Sequence, residues 1–313
     1  MKKFSIVIPV YFNAESIPQL VLRFQKLEEK LQGYEFAFIF VDDGSKDDSV
    51  LSLKKEQEKD SRIKIIKLSK NYGSMIAIQA GLAYANGDCV GVISADLQDP
   101  PEILVDMVKI WETGKKVVLG VRESRHDPFF GKLFSYLYYR ILDVWALPGY
   151  PKGGFDCMVF DRSVVEQVRH MKEKNTNIMN LIFWLGYDRA FIPYTRQKRM
   201  YGKSRWTFSK KWKLFFDSFI AFSYAPIRFM SFIGIFVAGI SFSYGIIIVI
   251  LALLHHVPIR GYAALATLIS FFCGTIMVML GMIGEYLWRI LDEVRKRPLY
   301  IVDEVIQSDR STD

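Results

Sequence analysis

The residues best suited to chemistry lie in short polar segments that follow apolar runs. The segment SADLQDPPE at 94–102 places Asp96, Gln98 and Asp99 within four residues of one another, on a loop stiffened by two prolines. Oxygen donors packed this closely suit a hard cation such as Mg²⁺ or Mn²⁺, which usually takes one or two carboxylates, waters and substrate phosphates. A solvated acidic turn is the alternative. The spacing favours a divalent-cation site on this loop.

Two further polar segments have the same position after an apolar run. VDDGS at 41–45 carries the paired carboxylates Asp42 and Asp43, and IPVYFNAE at 8–15 brings Tyr11 and short polar groups to a turn. A capped turn needs one carboxylate, so two adjacent acids favour a binding site. No Walker sequence and no Gly-x-Gly-x-x-Gly occurs, which argues against a P-loop NTPase or a dinucleotide dehydrogenase. A metal-held nucleotide diphosphate is the remaining interpretation.

The elements that position these residues follow an alternating βαβ rhythm. Apolar runs of strand type occupy Phe4–Pro9, Phe36–Val41, Ile63–Leu68, Cys89–Ser94 and Val117–Val121. Stretches of helical type occupy Glu15–Gln32, Asp47–Lys59, Ser74–Ala85 and Glu102–Thr113. This rhythm predicts an α/β fold with a mostly parallel sheet. Ligands of such sheets bind beyond the carboxyl ends of the strands, where the polar segments stand.

Charge and composition divide the chain into two parts. The formal net charge is +8, and Arg196–Lys213 alone holds eight basic residues and no acidic one. A basic cluster before a membrane helix is typical of the cytoplasmic face, so the charge does not require nucleic acid. Three scattered cysteines indicate neither a disulfide framework nor a zinc site.

The second part has the composition of membrane spans. No charged residue occurs in the 26 positions between Arg228 and His255 or in the 24 between Arg260 and Glu285. About 20 apolar residues suffice to cross the hydrocarbon core as a helix. The short connector predicts an antiparallel two-helix hairpin with both termini in the cytoplasm.

The segment Trp206–Tyr224 interleaves aromatic residues with lysines and suits the headgroup layer. We therefore expect four parts: a soluble α/β domain over 1–205, amphipathic interfacial helices over 206–228, a transmembrane hairpin over 229–288 and a cytoplasmic tail over 289–313.

Several motifs together resemble one enzyme family across essentially the whole chain. IPVYFNAES, VDDGS, SADLQDPPE and GGFDCMVFDR, followed by YGKSRW and the hydrophobic pair, resemble the polyprenyl-phosphate glycosyltransferases of inverting glycosyltransferase family two. Dolichol-phosphate mannose synthase and bacterial undecaprenyl-phosphate glucosyltransferases belong to that group. The resemblance implies a GT-A fold, a nucleotide-sugar donor and a polyprenyl-phosphate acceptor at the cytoplasmic membrane.

The resemblance also implies roles for particular residues. Nucleotide-sugar binding falls to Pro9, Tyr11, Glu15, Asp43 and Asp96, and the divalent cation (Mg²⁺ or Mn²⁺) to Asp96 and Gln98. Asp156 in GGFD matches an acid deep in the catalytic cleft, so Asp156 and Asp96 are the expected catalytic residues. Phosphate and acceptor binding falls to Arg122, Arg125, Lys132, Ser135, Arg199 and Lys203.

Two departures from the family pattern concern the donor site. Many relatives carry Asp-x-Asp where this chain has Ser94-Ala95-Asp96, so one metal-site carboxylate is absent. Relatives often read Tyr-Asn-Glu where this chain has Tyr11-Phe12-Asn13, which leaves the role of Asn13 open.

The expected reaction is attack of a lipid phosphate on the anomeric carbon with inversion. A phosphate monoester is largely ionised at neutral pH, so no general base is obligatory. Glucose from UDP-glucose is the first donor to test, with N-acetylglucosamine, galactose and mannose as alternatives, and the product would serve cell-envelope glycosylation. A homo-oligomer is left open.

Two other functions are weaker alternatives. A processive polysaccharide synthase would need Gln-x-x-Arg-Trp, but Gly202 stands where that glutamine belongs, and two helices form a poor channel. A non-catalytic membrane scaffold would not need to keep Asp43, Asp96, Gln98 and Asp156 together.

Overall fold

The structure is a computed structural model that divides into two units. It describes residues 1–122, 137–152, 154–171, 173, 177–197, 200–201, 225–254 and 261–307. The sheet unit comprises Met1–Ser218 with Pro298–Asp313, and the helical unit comprises Phe219–Arg297. The predicted amphipathic segment Trp206–Tyr224 and the connector at 255–260 lie outside the described residues.

The sheet unit contains one eight-stranded sheet within the described residues. Its strands are β1 (Lys2–Val10), β2 (Tyr34–Asp42), β3 (Ile63–Leu68), β4 (Cys89–Val92), β5 (Val117–Arg122), β6 (Phe155–Asp161), β7 (Arg189–Tyr194) and β8 (Val302–Ile306). The order across the sheet is β7-β5-β6-β4-β1-β2-β3-β8. Only β6 and β8 run antiparallel to their neighbours. The predicted mostly parallel α/β sheet is confirmed.

Helices connect the strands and cover both faces of the sheet. They are α1 (Ile17–Lys30), α2 (Ser49–Lys59), α3 (Ser74–Tyr84), α4 (Ile103–Glu112), α5 (Arg162–His170) and α6 (Ile178–Trp184), with a π-helical turn at Leu142–Ala146. The first four match the predicted helices to within two residues at either end. Pro18 stands in the first turn of α1, where its missing N–H costs no hydrogen bond.

The core explains why the central strands read as continuous apolar runs. Phe4, Ile6 and Ile8 of β1 are buried in the cluster that includes α1 and α4, whereas Val7 points to the opposite face and meets α3. The helix α3 approaches closely because Gly81 has no side chain: a Cβ there would lie 2.3 Å from Val7 Cγ1. Strands covered on both faces lose the polar alternation of half-exposed strands.

The strand β8 is a feature that the sequence patterns did not predict. Residues that were expected to form a tail return to the sheet unit and pair antiparallel with β3, with Ile66 opposite Val305. Side-chain contacts hold the strand in place, since Lys67 Nζ lies 2.6 Å from Asp303 Oδ2 and Gln57 Nε2 donates to the carbonyl of Ile306 at 3.0 Å. The chain therefore leaves the sheet unit before the helical unit and rejoins it afterwards.

The helical unit contains two long helices, α7 (Ala225–Leu253) and α8 (Tyr262–Val294). Large apolar side chains on both are exposed, including Phe232 at 72% and Met277 at 67%. Within the described residues one helix, Phe271–Val294, is long and apolar enough to cross a membrane by length and composition alone. The predicted hairpin of two spans is therefore not confirmed.

Candidate active site

The strand directions bring the polar segments to one edge of the sheet. The strands β1–β5 and β7 all end there, because β4 and β5 both run antiparallel to β6 between them and β7 runs parallel to β5. The antiparallel strand β6 begins at this edge, where Phe155 pairs with Val121 at the end of β5. Asp156 at the start of β6 thus lies beside Arg122, although the two are far apart in sequence.

The loop after β1 is tied to the loop after β2 by hydrogen bonds. Phe12 has a φ of 58°, an uncommon conformation for a residue other than glycine. The N–H of Phe12 donates to Ser45 Oγ at 3.1 Å, and the N–H of Asn13 donates to Ser49 Oγ at 2.9 Å. The Asn13 side chain in turn accepts from the N–H of Tyr11 at 2.9 Å. Asn13 is therefore a turn-forming residue that orients Tyr11.

The predicted donor residues around this loop differ in exposure. Pro9 is half-buried near the end of β1, and Glu15 is exposed just before α1. The Tyr11 ring packs edge-on against Phe12, with ring centres 4.6 Å apart. Pro9 thus lies within the strand β1, and Tyr11 and Glu15 follow the strand with different exposures.

The paired carboxylates after β2 have separate environments. Asp42 is fully buried and accepts from the N–H of Ser45 at 3.1 Å. Burial raises the pKa of Asp42, although the bonds from Ser45 oppose that change. Asp43 accepts at both oxygens, from the N–H groups of Tyr72 at 2.7 Å and Gly73 at 2.8 Å, and from the amide of Asn71 at 2.8 Å. Asp43 therefore fixes the loop that follows β3.

The loop after β4 contains a serine that bridges two carboxylates. Ser94 Oγ lies 2.9 Å from Asp96 Oδ1 and 2.9 Å from Asp99 Oδ2. A hydroxyl has one proton, so it donates to one carboxylate at a time. The N–H of Gln98 also donates to Asp96 Oδ1, at 3.2 Å, across Leu97, whose φ is 58°. Ser94 thus connects the two acids of this loop.

A buried network joins this loop to the ends of β5, β6 and β7. Tyr194 Oη donates to Asp99 Oδ1 at 2.6 Å and lies 3.5 Å from Asp156 Oδ2. Arg122 Nη2 donates to Asp156 Oδ1 in a short ion pair. Arg196 stands near both acids, with Nε 3.6 Å from Asp99 Oδ1 and Nη1 3.9 Å from Asp156 Oδ2. Two arginines and two aspartates from four segments therefore meet at one place.

The network perturbs the ionisation of its members. Burial, followed by the charge of Asp156, raises the pKa of Asp99 to about 6, against the opposing effects of Arg196 and Tyr194. Burial and the neighbouring aspartates raise the pKa of Tyr194 far above its ordinary value. Burial lowers the pKa of Arg122, but the Asp156 carboxylate outweighs it, so the net change is upward. The guanidinium is charged throughout the physiological range.

The donor atoms after β4 suit a hard cation with few protein ligands. Among the described residues no group of three or more His, Cys, Asp or Glu side chains is arranged to hold a metal. Asp96 and Gln98 supply only oxygen ligands, and Mg²⁺ is commonly bound through one or two carboxylates together with substrate phosphates and water. The residues present therefore fit a cation that depends on a bound diphosphate for most of its coordination.

The structure brings some predicted residues together and leaves others aside. Asp99 and its neighbours link four of the predicted residues, namely Asp96, Gln98, Arg122 and Asp156. Three others line the same edge farther along the sheet, namely Pro9, Tyr11 and Asp43. Five predicted phosphate-binding residues lie outside the described residues, namely Arg125, Lys132, Ser135, Arg199 and Lys203.

Three network members were not predicted as site residues. Asp99 belongs to the segment SADLQD, so the acidic spacing carried a signal for it. Tyr194 ends a strand that the sequence patterns did not identify, and Arg196 follows two residues later. Their proximity to Asp99 becomes visible only in the folded sheet.

A cavity of about 610 Å³ at the opposite edge of the sheet is a weaker candidate. Its charged side chains pair with one another, as Lys116 Nζ does with Asp161 Oδ1 at 2.8 Å and Lys2 Nζ with Glu112 Oε1 at 3.5 Å. None of the predicted site residues lines it.

Comparisons with known proteins identify the family of the chain. The sequence pattern of glycosyl transferase family 2 matches residues 5–169, a range that includes Asp96 and Asp156. The uncharacterized glycosyltransferase YkcC of Bacillus subtilis is 37% identical over 304 residues, covering 96% of this chain and 94% of its own. The SfII prophage-derived bactoprenol glucosyl transferase of Shigella flexneri is 33% identical over 301 residues, covering 96% and 97%.

The chain also has similarity to solved structures. The mannosyltransferase PcManGT from Pyrobaculum calidifontis, in complex with GDP-Man and Mn²⁺, aligns over 63% of this chain and 57% of its own, with 18% identity and a TM-score of 0.44. The full-length sequence relatives and the family match decide the assignment: the chain is a glycosyltransferase that belongs to glycosyltransferase family 2, and its sheet unit has the GT-A fold.

Proposed function

We propose that this enzyme transfers one hexose from a nucleotide sugar to the phosphate of a polyprenyl lipid, with inversion at the anomeric carbon. The observation that carries the proposal is that the match to bactoprenol glucosyl transferases extends over 96% of the chain, the helical unit included. Glucose from UDP-glucose to undecaprenyl phosphate is the first pairing to test. The product is a lipid-linked monosaccharide for cell-envelope glycosylation.

The helical unit supports a lipid acceptor. At 1.5 Å per residue, the 29 residues of α7 and the 33 of α8 each exceed the ~30 Å hydrocarbon core. Exposed side chains such as Phe232 and Met277 are unfavourable in water and favourable in lipid. We propose that both helices cross the cytoplasmic membrane, with both termini in the cytoplasm.

Impermeant thiol labelling tests this topology. A cysteine placed at His256, in a chain whose three native cysteines are replaced, is expected to react from outside intact cells. A cysteine placed at Gln307 is expected to react only after the cells are opened. Labelling of both positions from the same side refutes the two-span hairpin.

The proposed mechanism rests on positioning and charge. The lipid phosphate is already ionised at neutral pH, so its oxygen attacks without a general base. Asp96 and Gln98 would hold a divalent cation (Mg²⁺ or Mn²⁺), and such a cation would supply positive charge to the departing nucleotide diphosphate. Tyr11 and Asp43 border the nucleotide, with Pro9 and Glu15 on either side of the first turn. These residues hold the donor while the nucleophile approaches in line.

Asp156 has a positioning role in this mechanism. Its carboxylate is engaged by Arg122 and lies within 4 Å of Arg196, so the side chain orients cations and does not accept a proton. The basic residues Arg199 and Lys203 are proposed to close on substrate phosphates from the following loop. Arg125, Lys132 and Ser135 are proposed to contact the acceptor phosphate, by the family resemblance alone.

Direct transfer of label tests the function. The purified full-length chain in detergent is incubated with Mg²⁺ or Mn²⁺, undecaprenyl phosphate and one radiolabelled donor at a time, and the lipid phase is extracted. The donors are UDP-glucose, UDP-N-acetylglucosamine, UDP-galactose and GDP-mannose. Label in the lipid identifies the sugar, and chelation by EDTA is expected to abolish it.

Two aspartate variants complete this test. Asp96→Ala is expected to lose transfer, whereas Asp106→Ala is expected to retain it, because the exposed Asp106 on α4 pairs only loosely with Lys109, at 3.8 Å. Absence of label from every donor, with Asp96→Ala indistinguishable from the parent, refutes the proposal.

A further inference from the structure

The guanidinium of Arg196 is held at the active site by charge and not by hydrogen bonds. Its two ion-pair distances, 3.6 Å to Asp99 and 3.9 Å to Asp156, exceed hydrogen-bonding range. Its Nε is buried and has no hydrogen-bond partner among the described residues. The side chain as a whole is 29% exposed. A guanidinium has five N–H donors, so Arg196 retains donor capacity for a further acceptor.

The neighbouring acids do not depend on Arg196 for their hydrogen bonds. Asp99 accepts from Tyr194 Oη at 2.6 Å and shares the Ser94 hydroxyl, at 2.9 Å, with Asp96, and Asp156 accepts from Arg122. The need to neutralise Asp99 and Asp156 therefore explains why a positive charge stands at position 196. It does not explain why N–H donors of the Arg196 side chain are unused. A buried donor without an acceptor costs free energy unless an acceptor arrives.

Backbone bonds place Arg196 next to the predicted cation site. The N–H of Gln197 donates to the carbonyl of Gln98 at 2.8 Å. On the other side of Arg196, Tyr194 is anchored to Asp99. Arg196 is thus fixed at both sides against the loop that carries Asp96, and its partial exposure gives a ligand access.

We propose that Arg196 binds a phosphate group of a substrate and that Asp99 and Tyr194 present it for this purpose. The inference rests on the proposed function and extends it to a residue outside the family motif R-x-Y-G-K-S. Phosphate is the matching ligand because arginine recognises its oxygens with paired N–H donors. The phosphate belongs either to the donor diphosphate or to the lipid acceptor.

Two measurements on Arg196→Gln distinguish these sources. The first is the Kd for UDP in the presence of Mg²⁺ and the absence of lipid. The second is the KM for undecaprenyl phosphate at saturating donor. Loss of charge-assisted hydrogen bonds predicts a rise of about 10- to 100-fold in one of the two constants. A higher Kd for UDP assigns the donor diphosphate, and a higher KM for the lipid assigns the acceptor.

Lysine variants control for folding. Arg196→Lys keeps the charge that Asp99 and Asp156 require, and it is expected to fold and to show a smaller rise in the same constant. Arg189→Lys, at the other end of β7, is expected to leave both constants unchanged. If Arg196→Gln does not fold, the test is the comparison of Arg196→Lys with Arg189→Lys.

A double-mutant cycle tests the role of Tyr194. Tyr194→Phe removes the bond to Asp99 and is expected to affect the same constant as Arg196→Gln, with no added effect in the double variant. A merely structural role for Tyr194 predicts additive losses.

The inference is overturned if both constants for Arg196→Gln and Arg196→Lys stay within about twofold of the parent value. If the parent transfers no sugar, the function fails, but the UDP titration still reports on Arg196. The two failures are therefore distinguishable.

Discussion

Replacing Asp156 by asparagine removes one negative charge from the network and little else. Asparagine has nearly the same shape and retains an oxygen that accepts a hydrogen bond. Arg122, whose side chain is only 15% exposed, loses its carboxylate partner, and Arg196 loses one of its two. We expect turnover to fall strongly, because the cations are no longer held where a phosphate meets them.

The magnitude follows from the burial of the pair. Removing one partner of a fully buried ion pair costs about 3–5 kcal/mol. The Asp156 side chain is 19% exposed and asparagine keeps one bond to Arg122, so we expect about 2 kcal/mol of lost stability. For kcat we expect a fall of about 100-fold, equivalent to about 2.7 kcal/mol of activation free energy.

The same strand offers a matched control in Asp161. Its side chain is 18% exposed, and it pairs with Lys116 at 2.8 Å at the opposite edge of the sheet. Burial would raise the pKa of Asp161, but hydrogen bonds from Lys116, Ser163 and Trp111 lower it from 3.8 to about 2. Because the partner Lys116 is 44% exposed and solvent screens the pair, we expect this difference to contribute about 1–2 kcal/mol. Asp161→Asn is therefore expected to lose similar stability and to keep its turnover.

The assay compares both variants with the parent at a temperature where all three are folded. Unfolding by denaturant gives the stability loss, and label transferred to the lipid phase gives kcat and KM. Near-normal turnover and donor affinity in Asp156→Asn remove Asp156 from the site. An equal loss of turnover in Asp161→Asn shows that reduced folding stability, and not the location of Asp156 at the active site, explains the loss of turnover in both variants.

Three further predictions concern separate parts of the sheet unit. The stability that Asp161 contributes is complete above about pH 4 and is lost as the pH falls through about 2, because its folded pKa lies below the unfolded value. In acid unfolding followed by circular dichroism, Asp161→Asn should therefore lose less stability than the parent between these pH values. Asp43→Asn replaces a carboxylate oxygen by an NH₂ group that faces the N–H groups of the loop after β3. The variant should lose about 1–3 kcal/mol of folding stability, and kinetic assays should show a higher KM for the nucleotide sugar. A stop codon after Arg297 removes β8 and exposes the edge of β3, so thermal unfolding should occur at a lower temperature, with aggregation visible by light scattering. Full solubility and an unchanged Tm of the truncated chain contradict the role given to β8.

The central part of the fold could be predicted because its patterns are local. The run Ile63–Leu68 has the same bounds as β3, and Ser74–Ala85 exceeds α3 by one residue. Buried parallel strands are short and continuously apolar, and turn residues separate them from helices. The polar segments after β1, β2 and β4 could be placed at one edge for the same reason.

The two outermost strands of the sheet, β7 and β8, could not be predicted because their pairing depends on residues that are far away in the sequence. The strand β7 contains Pro193, which argues against a strand in the interior of a sheet but is tolerated because β7 lies at an edge. The strand β8 is a short run whose pairing with β3 no local pattern records. The direction of β6 depends on the chain that precedes it, so the meeting of Asp156 with Arg122 was not visible either.

The position of β8 in the chain has a consequence for biosynthesis. The contact between Lys67 and Asp303 joins residues 236 positions apart, and the whole helical unit is translated between them. The strands β1–β7 leave the ribosome first, and the edge of β3 stays unpaired until Val302–Ile306 follows. Pairings of such long sequence separation form slowly. The sheet unit is thus completed only after the helical unit has been synthesised, which couples maturation of the domain that carries the candidate active site to synthesis of the two long helices.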